Sequence, residues 1–185
     1  MLFALLALAI MGMSATTALQ NRRLDLKREA GAAEATVLER LRNGAQALVD
    51  EQLVALQRGE PVSKNGVVLA PAQQAGGELV WAPTIDDLRT MGYLPPGWDA
   101  TRSALNDAPY RLSLTRLPVG CVPSSCDISG LVVLAGPLRD SGRHTAVDGV
   151  VIGPILTRSG AGGGVSLATN PDEISGFNGA WGLPD

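Results

Sequence analysis

Residues Asn21–Arg58 read NRRLDLKREAGAAEATVLERLRNGAQALVDEQLVALQR, and this segment predicts a long helix on which the rest of the fold depends. It contains no proline, and strong helix formers fill most of it. Its apolar residues recur three, four and seven positions apart, which is the spacing of an amphipathic helix with one apolar stripe. Gly59 followed by Pro61 is typical of a helix end. We predict that the stripe packs the helix against the rest of the chain through Val37, Leu41, Leu48, Leu53 and Leu56.

The segment before this helix is apolar. Residues 1–19 read MLFALLALAIMGMSATTAL and carry no charge. As a helix they would span roughly 30 Å, about the thickness of one hydrocarbon core. Because no helix breaker separates the two segments, we predict one continuous helix, roughly 85–90 Å long.

Three interpretations of the apolar segment stay open at this point. The first is a secretory signal peptide, although no basic region precedes the apolar run. The second is a transmembrane anchor, for which Arg22, Arg23, Lys27 and Arg28 would indicate a cytoplasmic C-terminal side. The third is the N-terminus of a secreted subunit whose basic leader has been removed.

The chain after Pro61 consists of short β-like runs separated by turn residues. Such runs lie at residues 67–69, 79–81, 110–117, 128–135 and 165–168, with an edge strand around 180–183. The continuously apolar run 131–134 predicts a central strand covered on both faces. Thr84 can cap a short helix that ends at Gly92. Residues 143–158 form either a short helix interrupted by Gly153-Pro154 or two strands, and we favour the helix.

These elements together predict an α+β fold. A long N-terminal α-helix, apolar in its first third, packs on an antiparallel β-sheet head. We divide the chain into an apolar helix segment at 1–20, an amphipathic continuation at 21–59 and a globular head at 60–185.

The two cysteines, Cys121 and Cys126, enclose the sequence Val-Pro-Ser-Ser. A zinc site would need more ligands than these and the single His144. A redox pair usually has two residues between its cysteines rather than four. In an exported protein we therefore predict a disulfide that closes a tight loop.

Composition gives little support to catalysis or to nucleic-acid binding. The net charge of −3 provides no basic field for a polyanion, and only 4% of the residues are aromatic. His144 has Asp140 and Asp148 four residues to either side, which on a helix is more typical of a solvated face than of a general base. No hydrolase, metalloprotease or phosphate-binding motif is present. We expect no enzymatic activity, no cofactor and no metal.

Two segments carry a resemblance to a known family. Residues 88–98, Leu-Arg-Thr-Met-Gly-Tyr-Leu-Pro-Pro-Gly-Trp, resemble a segment of the PilV-type (shufflon) minor pilins of type IVb systems. Residues 160–164, Gly-Ala-Gly-Gly-Gly, followed by Gly-Phe-Asn-Gly-Ala-Trp at 176–181, resemble a later stretch of the same proteins. The order of parts also resembles the type IV pilin superfamily, which combines an apolar N-terminus, one long helix and a sheet-bearing head with a disulfide.

The resemblance implies a structural or adhesive subunit, a minor or a major pilin, that is held in the inner membrane and then polymerises into an extracellular pilus. Its partners would be other pilin subunits and a host or recipient cell surface. Met1 would be the processed, methylated N-terminus. The filament core would be packed by Leu2, Phe3, Leu5, Leu6, Leu8, Ile10, Gly12 and Ala15.

The sequence departs from the family at the fifth position, where Leu5 stands in place of the acidic residue that most pilins carry. The alternative is a periplasmic binding or interaction protein with a single-pass anchor or a signal peptide. Sequencing the N-terminus of the exported protein distinguishes the two.

Overall fold

The structure is a computed structural model that describes residues 2–140, 143–167, 170–176 and 182–184, with side chains described for 17–138, 148–166 and 174–176. The chain divides into two compact units. The first contains Met1–Ala35 and Leu138–Asp185, and the second contains Thr36–Pro137. We call them the first and second units.

The N-terminal helix α1 runs from Leu2 to Arg58, as the sequence predicts. Its one residue with non-helical dihedral angles is Gln52 (φ −109°, ψ 15°). The helix ends because Gly59 adopts φ +72°, which a residue with a side chain rarely does. Backbone N–H groups of Gly59 and Glu60 then donate to the carbonyls of Leu56 and Ala55, at 3.0 and 2.9 Å. This Schellman arrangement satisfies carbonyl groups that the helix end leaves unpaired.

The second unit is an α+β arrangement in which α1 packs against a four-stranded antiparallel sheet. The sheet order is β3-β4-β5-β6, and β1 and β2 form a separate hairpin. Strands β5 and β6 pair without a register shift from Tyr110↔Leu134 to Leu117↔Asp127. The elements are β1 (Val62–Lys64), β2 (Val67–Leu69), β3 (Ala72–Gln73), β4 (Leu79–Trp81), α2 (Ile85–Thr90), β5 (Tyr110–Leu117) and β6 (Asp127–Leu134).

The core of the second unit lies between α1, α2 and the sheet. Helix α2 is fixed at its start by a capping box, in which the Thr84 hydroxyl accepts from the Asp87 N–H and the Asp87 carboxylate accepts from the Thr84 N–H. Its buried residues Ile85 and Leu88 face the core. The side chains of this core that are fully buried are those of Leu41, Leu48, Leu56, Val62, Trp81, Leu88, Met91 and Leu114.

The first unit combines the N-terminal part of α1 with a third helix and short strands. Helix α3 begins after Asp148, whose carboxylate accepts from the Val150 N–H at 3.2 Å. The same carboxylate pairs with the Lys27 ammonium of α1 at 2.8 Å. Gly31 of α1 lies directly against the backbone of Val151. The elements are β7 (Arg139–Asp140), β8 (Arg143–Val147), α3 (Gly149–Ser159), β9 (Gly164–Leu167), β10 (Asn170–Gly176) and β11 (Gly182–Pro184).

Several sequence predictions about the strands need correction. The run 131–134 belongs to β6, which is an edge strand and only half-buried, rather than a central strand covered on both faces. Residues 143–158 are a strand followed by a helix, because Asp148 caps α3 and the residues before it form β8. His144 therefore lies on a strand. Asp140 belongs to the neighbouring strand β7, where it pairs with Arg143, and Asp148 caps α3, so the two carboxylates do not flank His144 on one helix face as the sequence suggested.

The strands predicted at 67–69, 79–81 and 110–117 are confirmed with the same bounds. The predicted final strand overlaps β11, although residues 180 and 181 lie outside the described part of the chain. Strand β10 was not predicted, since its sequence Asn-Pro-Asp-Glu-Ile-Ser-Gly has the composition of a loop.

Candidate assembly helix and disulfide loop

The stretch 17–26 of α1 is exposed at every position. Leu19 is 63% exposed and Leu26 is 57% exposed. Seven residues apart on a helix, these two leucines lie on nearly the same face. Arg22 and Arg23 lie between them and are also exposed. We call residues 17–26 the exposed helix segment, a surface with both apolar and basic side chains.

The predicted filament-core residues precede this segment. Leu2, Phe3, Leu5, Leu6, Leu8, Ile10, Gly12 and Ala15 lie in α1 by their backbone, and their side chains lie outside the described part. Met1 also lies outside the described residues. Their roles therefore stay predictions. Among the residues whose side chains are described, no helix combines the length and the apolar character needed to cross a membrane.

The predicted packing stripe of α1 lies in the second unit. Leu41, Leu48 and Leu56 are 0% exposed, and Val37 is partly buried against the same core. Leu53, which was predicted to pack with them, is 39% exposed, so that assignment was wrong. Leu53 follows Leu48 by five residues, which corresponds to a rotation of about 140° around the helix axis. Its side chain therefore lies on a different face of α1 from that of Leu48.

The segment that resembles the minor pilins, residues 88–98, contributes buried side chains to the core of the second unit. Gly92 adopts φ +85° after the C-cap residue of α2, Met91, and Leu94 and Trp98 are 4% and 7% exposed. The Trp98 indole N–H donates to the Ala100 carbonyl at 3.1 Å, and Arg89 donates to the Trp98 carbonyl at 3.1 Å. Of the second resembling segment, residues 160–164 contain a short 3-10 helix and the start of β9, and residues 177–181 lie outside the described part.

The disulfide loop, residues 118–126, connects β5 to β6. Cys121 and Cys126 are bonded to each other, as predicted. Within the loop, Cys126 is 1% exposed and Cys121 is half-buried, while the other seven residues, 118–120 and 122–125, are exposed. No charged residue occurs between Pro118 and Cys126.

Two polar side chains outside the loop hold it in place. The Arg116 guanidinium of β5 donates through Nη2 to the Cys121 carbonyl at 2.6 Å and through Nε to the Cys126 sulfur at 3.2 Å. The Gln57 amide of α1 donates to the Cys126 carbonyl at 2.8 Å. Sequence reasoning missed both residues, because their positions depend on the β5–β6 register and on which face of α1 meets the loop.

A second polar cluster joins α1 to the β1–β2 hairpin. The Lys64 ammonium lies 2.6 Å from a Glu51 carboxylate oxygen and 4.3 Å from the centre of the Tyr93 ring. The hydrogen bond from Lys64 lowers the pKa of Glu51, and the same bond raises the pKa of Lys64. Burial of its hydroxyl raises the pKa of Tyr93. At neutral pH the cluster therefore contains an ion pair beside a neutral tyrosine.

We expect Glu51→Gln to lower the melting temperature slightly at neutral pH and to have no effect in strong acid. The folded-state pKa of Glu51 lies below its ordinary value, so the stabilisation is present at neutral pH and is lost as the pH falls through that lowered value. The pKa of Lys64 is raised, so its contribution is lost only as the pH rises through the raised value.

Thermal denaturation of both proteins from acidic to neutral pH measures this difference. Glu51→Gln introduced into a Lys64→Gln background is the control, since the pair is already broken there. A melting-temperature difference that persists unchanged in acid would contradict the assignment.

Chemical sites are scarce in the described part of the chain. Among the described residues, no three His, Cys, Asp or Glu side chains are grouped so that they could hold a metal ion. The side chain of His144 lies outside the described part, and its backbone belongs to β8.

The architecture is pilin-like: a long N-terminal helix packs on an antiparallel sheet that carries a disulfide-bonded loop. Comparison of the chain with protein-family models, with characterised proteins and with solved structures found no match.

Proposed function

We propose that this protein is a non-catalytic subunit of a type IVb pilus, of the PilV-like minor pilin kind. In this proposal the chain is held in the inner membrane before assembly and polymerises through the N-terminal part of α1 into an extracellular filament. Its partners are other pilin subunits, and its head meets a host or recipient cell surface, with no nucleic acid and no cofactor involved.

The observation that carries the proposal is the contrast between the two parts of α1. From Leu41 to Leu56 the apolar stripe is buried in the second unit, whereas residues 17–26 are exposed along their whole length. The sequence before them, residues 1–16, is uncharged and mainly apolar. An apolar helix surface of this size is stable only in lipid or against other proteins. Removing it from water lowers the free energy by roughly 25 cal/mol per Å² of apolar area.

Two further observations support the same proposal. Small residues at Gly12, Ser14, Ala15, Thr16 and Ala18 allow helices to approach closely. The segment 88–98, which resembles the minor pilins, holds buried core positions in the second unit, so its resemblance concerns the fold of the head.

The experiment that tests the proposal compares two surface variants in purified, sheared filaments. We expect Leu19→Glu to reduce the amount of this chain in filaments at least about ten-fold, because a buried unpaired charge in a helix-packed core is strongly unfavourable. Val68→Glu is the matched control, since Val68 is 65% exposed but lies on β2 of the second unit. We expect its level in filaments to equal that of the unaltered protein.

N-terminal analysis of the exported chain separates this proposal from the alternative. A methylated Met1 supports a pilin subunit. A new terminus near Leu19 would mean cleavage by signal peptidase and a periplasmic binding protein. Filaments without this chain, or equal incorporation of Leu19→Glu and Val68→Glu, would contradict the proposal.

A further inference from the structure

The two sulfurs of the disulfide lie in different surroundings. Cys126 is 1% exposed and is the first residue before β6. Cys121 is half-buried, and its neighbours Gly120 and Val122 are exposed. A thiol that approaches the loop from solvent therefore reaches the Cys121 side of the bond first.

The positive charge of Arg116 is also directed to one of the two sulfurs, that of Cys126. Arg116 Nε donates to the Cys126 sulfur at 3.2 Å, whereas its Nη2 donates to the backbone carbonyl of Cys121 rather than to the Cys121 sulfur. Among the described residues, no carboxylate forms an ion pair with Arg116, so the guanidinium charge is not neutralised by a salt bridge. A cation beside a sulfur stabilises the thiolate form and makes that sulfur the better leaving group in exchange.

We propose that Cys121 is the sulfur at which an external thiol enters this disulfide, with Cys126 leaving as a thiolate held by Arg116. The site is thus a directional exchange site for a dithiol oxidoreductase or a small thiol. It goes beyond the proposed assembly role and does not depend on it.

The exchange proceeds in two balanced steps. The external thiolate attacks the Cys121 sulfur, a new S–S bond forms there, and the electron pair of the Cys121–Cys126 bond passes to the Cys126 sulfur. The second thiolate of the dithiol then attacks the other sulfur of the dithiol, which is bonded to Cys121 in the mixed disulfide. That bond breaks, and Cys121 leaves as a thiolate. The protein gains two electrons and two protons, and the dithiol is oxidised to a disulfide; oxidation of the loop follows the same steps in reverse.

The exchange also affects how the loop is held, because the leaving residue, Cys126, is one of the points at which the loop is attached to the rest of the second unit. The Cys126 carbonyl accepts from Gln57 of α1 at 2.8 Å, and the Cys121 carbonyl accepts from Arg116 at 2.6 Å. Arg116 therefore contacts both halves of the loop, and Gln57 ties the Cys126 half to α1. The exchange begins on the half that α1 does not hold.

The first test uses the oxidised full-length protein in detergent micelles, with glutathione as the monothiol probe. After brief exposure, free thiols are blocked with N-ethylmaleimide and the loop peptides are analysed by mass spectrometry. We expect glutathione on Cys121 with maleimide on Cys126 at least about ten-fold more often than the reverse. Equal partition, or a preference for glutathione on Cys126, would overturn the proposal.

The second test measures the rate of reduction by dithiothreitol. Arg116→Gln is expected to slow reduction about ten-fold, and Arg116→Lys is expected to recover part of the rate, because it restores the charge. Arg111→Gln is the matched control, since Arg111 is exposed on the same strand β5, and its rate should equal that of the unaltered protein. Reduction of Arg116→Gln at the unaltered rate or faster would overturn the role of Arg116. The partition measurement needs no variant and so tests the entry sulfur even if Arg116→Gln fails to fold.

Discussion

Replacing Leu48 by Ala is expected to lower the free energy of unfolding of the second unit by about 2–5 kcal/mol. Leu48 is 0% exposed and packs in the core with Leu41, Leu56 and Trp81. Truncation removes apolar contacts and leaves a cavity that the surrounding helix and sheet can fill only in part. This is the largest effect that we expect from one substitution in α1.

Leu53→Ala is the matched control for this prediction, because it removes the same atoms from the same helix. Leu53 is 39% exposed, so its truncation should cost about 1 kcal/mol or less. Urea denaturation in detergent micelles, followed by tryptophan fluorescence in a Trp181→Phe background, reports on the buried Trp81 and Trp98. Equal losses for the two leucines would mean that α1 does not pack on the sheet through the Leu41–Leu48–Leu56 face.

The features that the sequence predicted well are local ones. Helix α1 follows from helix propensity and from an apolar period that is sustained over many turns, and neither depends on distant residues. Strand β5 follows from the alternation in Tyr110–Leu117, which is maintained by a buried face and a wetter face. The disulfide follows from the presence of only two cysteines at short separation.

The features that the sequence did not reveal depend on which strands become neighbours. The apolar run in β6 is typical of a central strand, but sheet order places it at an edge, and order is set by chain connections rather than by composition. Strand β10 contains Pro171 and acidic residues, and it pairs regularly with β11 but with a register shift against β9 that no local pattern indicates. Local signals are weak where pairing alone stabilises a strand.

The candidate sites divide in the same way. The apolar segment and the two cysteines can be identified from the sequence, because composition and residue spacing define them. The placement of Arg116 beside the Cys126 sulfur cannot, because it requires β5 and β6 to pair so that Arg116 lies opposite Ile128, two residues beyond Cys126. Long-range register is the quantity that single-sequence patterns leave undetermined.

A helical glycine in the first unit provides the second large effect. A Cβ atom added to Gly31 would overlap the carbonyl oxygen of Val151 and would lie 3.1 Å from the carbonyl carbon. Both atoms belong to the backbone of α3, so no side-chain rotation can relieve the overlap. Gly31→Ala is therefore expected to destabilise the contact between α1 and α3 by about 1–3 kcal/mol, even though alanine is the better helix former.

Gly149→Ala is the control, since Gly149 is the first residue of α3 and a Cβ there meets nothing within 4 Å. Its effect should lie between zero and a gain of about 1 kcal/mol, from the lower entropy of the unfolded chain. The two substitutions add the same methyl group. Changes of opposite sign in the free energy of unfolding would therefore separate the effect of close packing from that of helix propensity. Amide hydrogen exchange of residues 149–159 gives a local readout, in which Gly31→Ala should speed exchange and Gly149→Ala should not. Unchanged protection of α3 in Gly31→Ala would show that the two helices do not approach each other at this glycine.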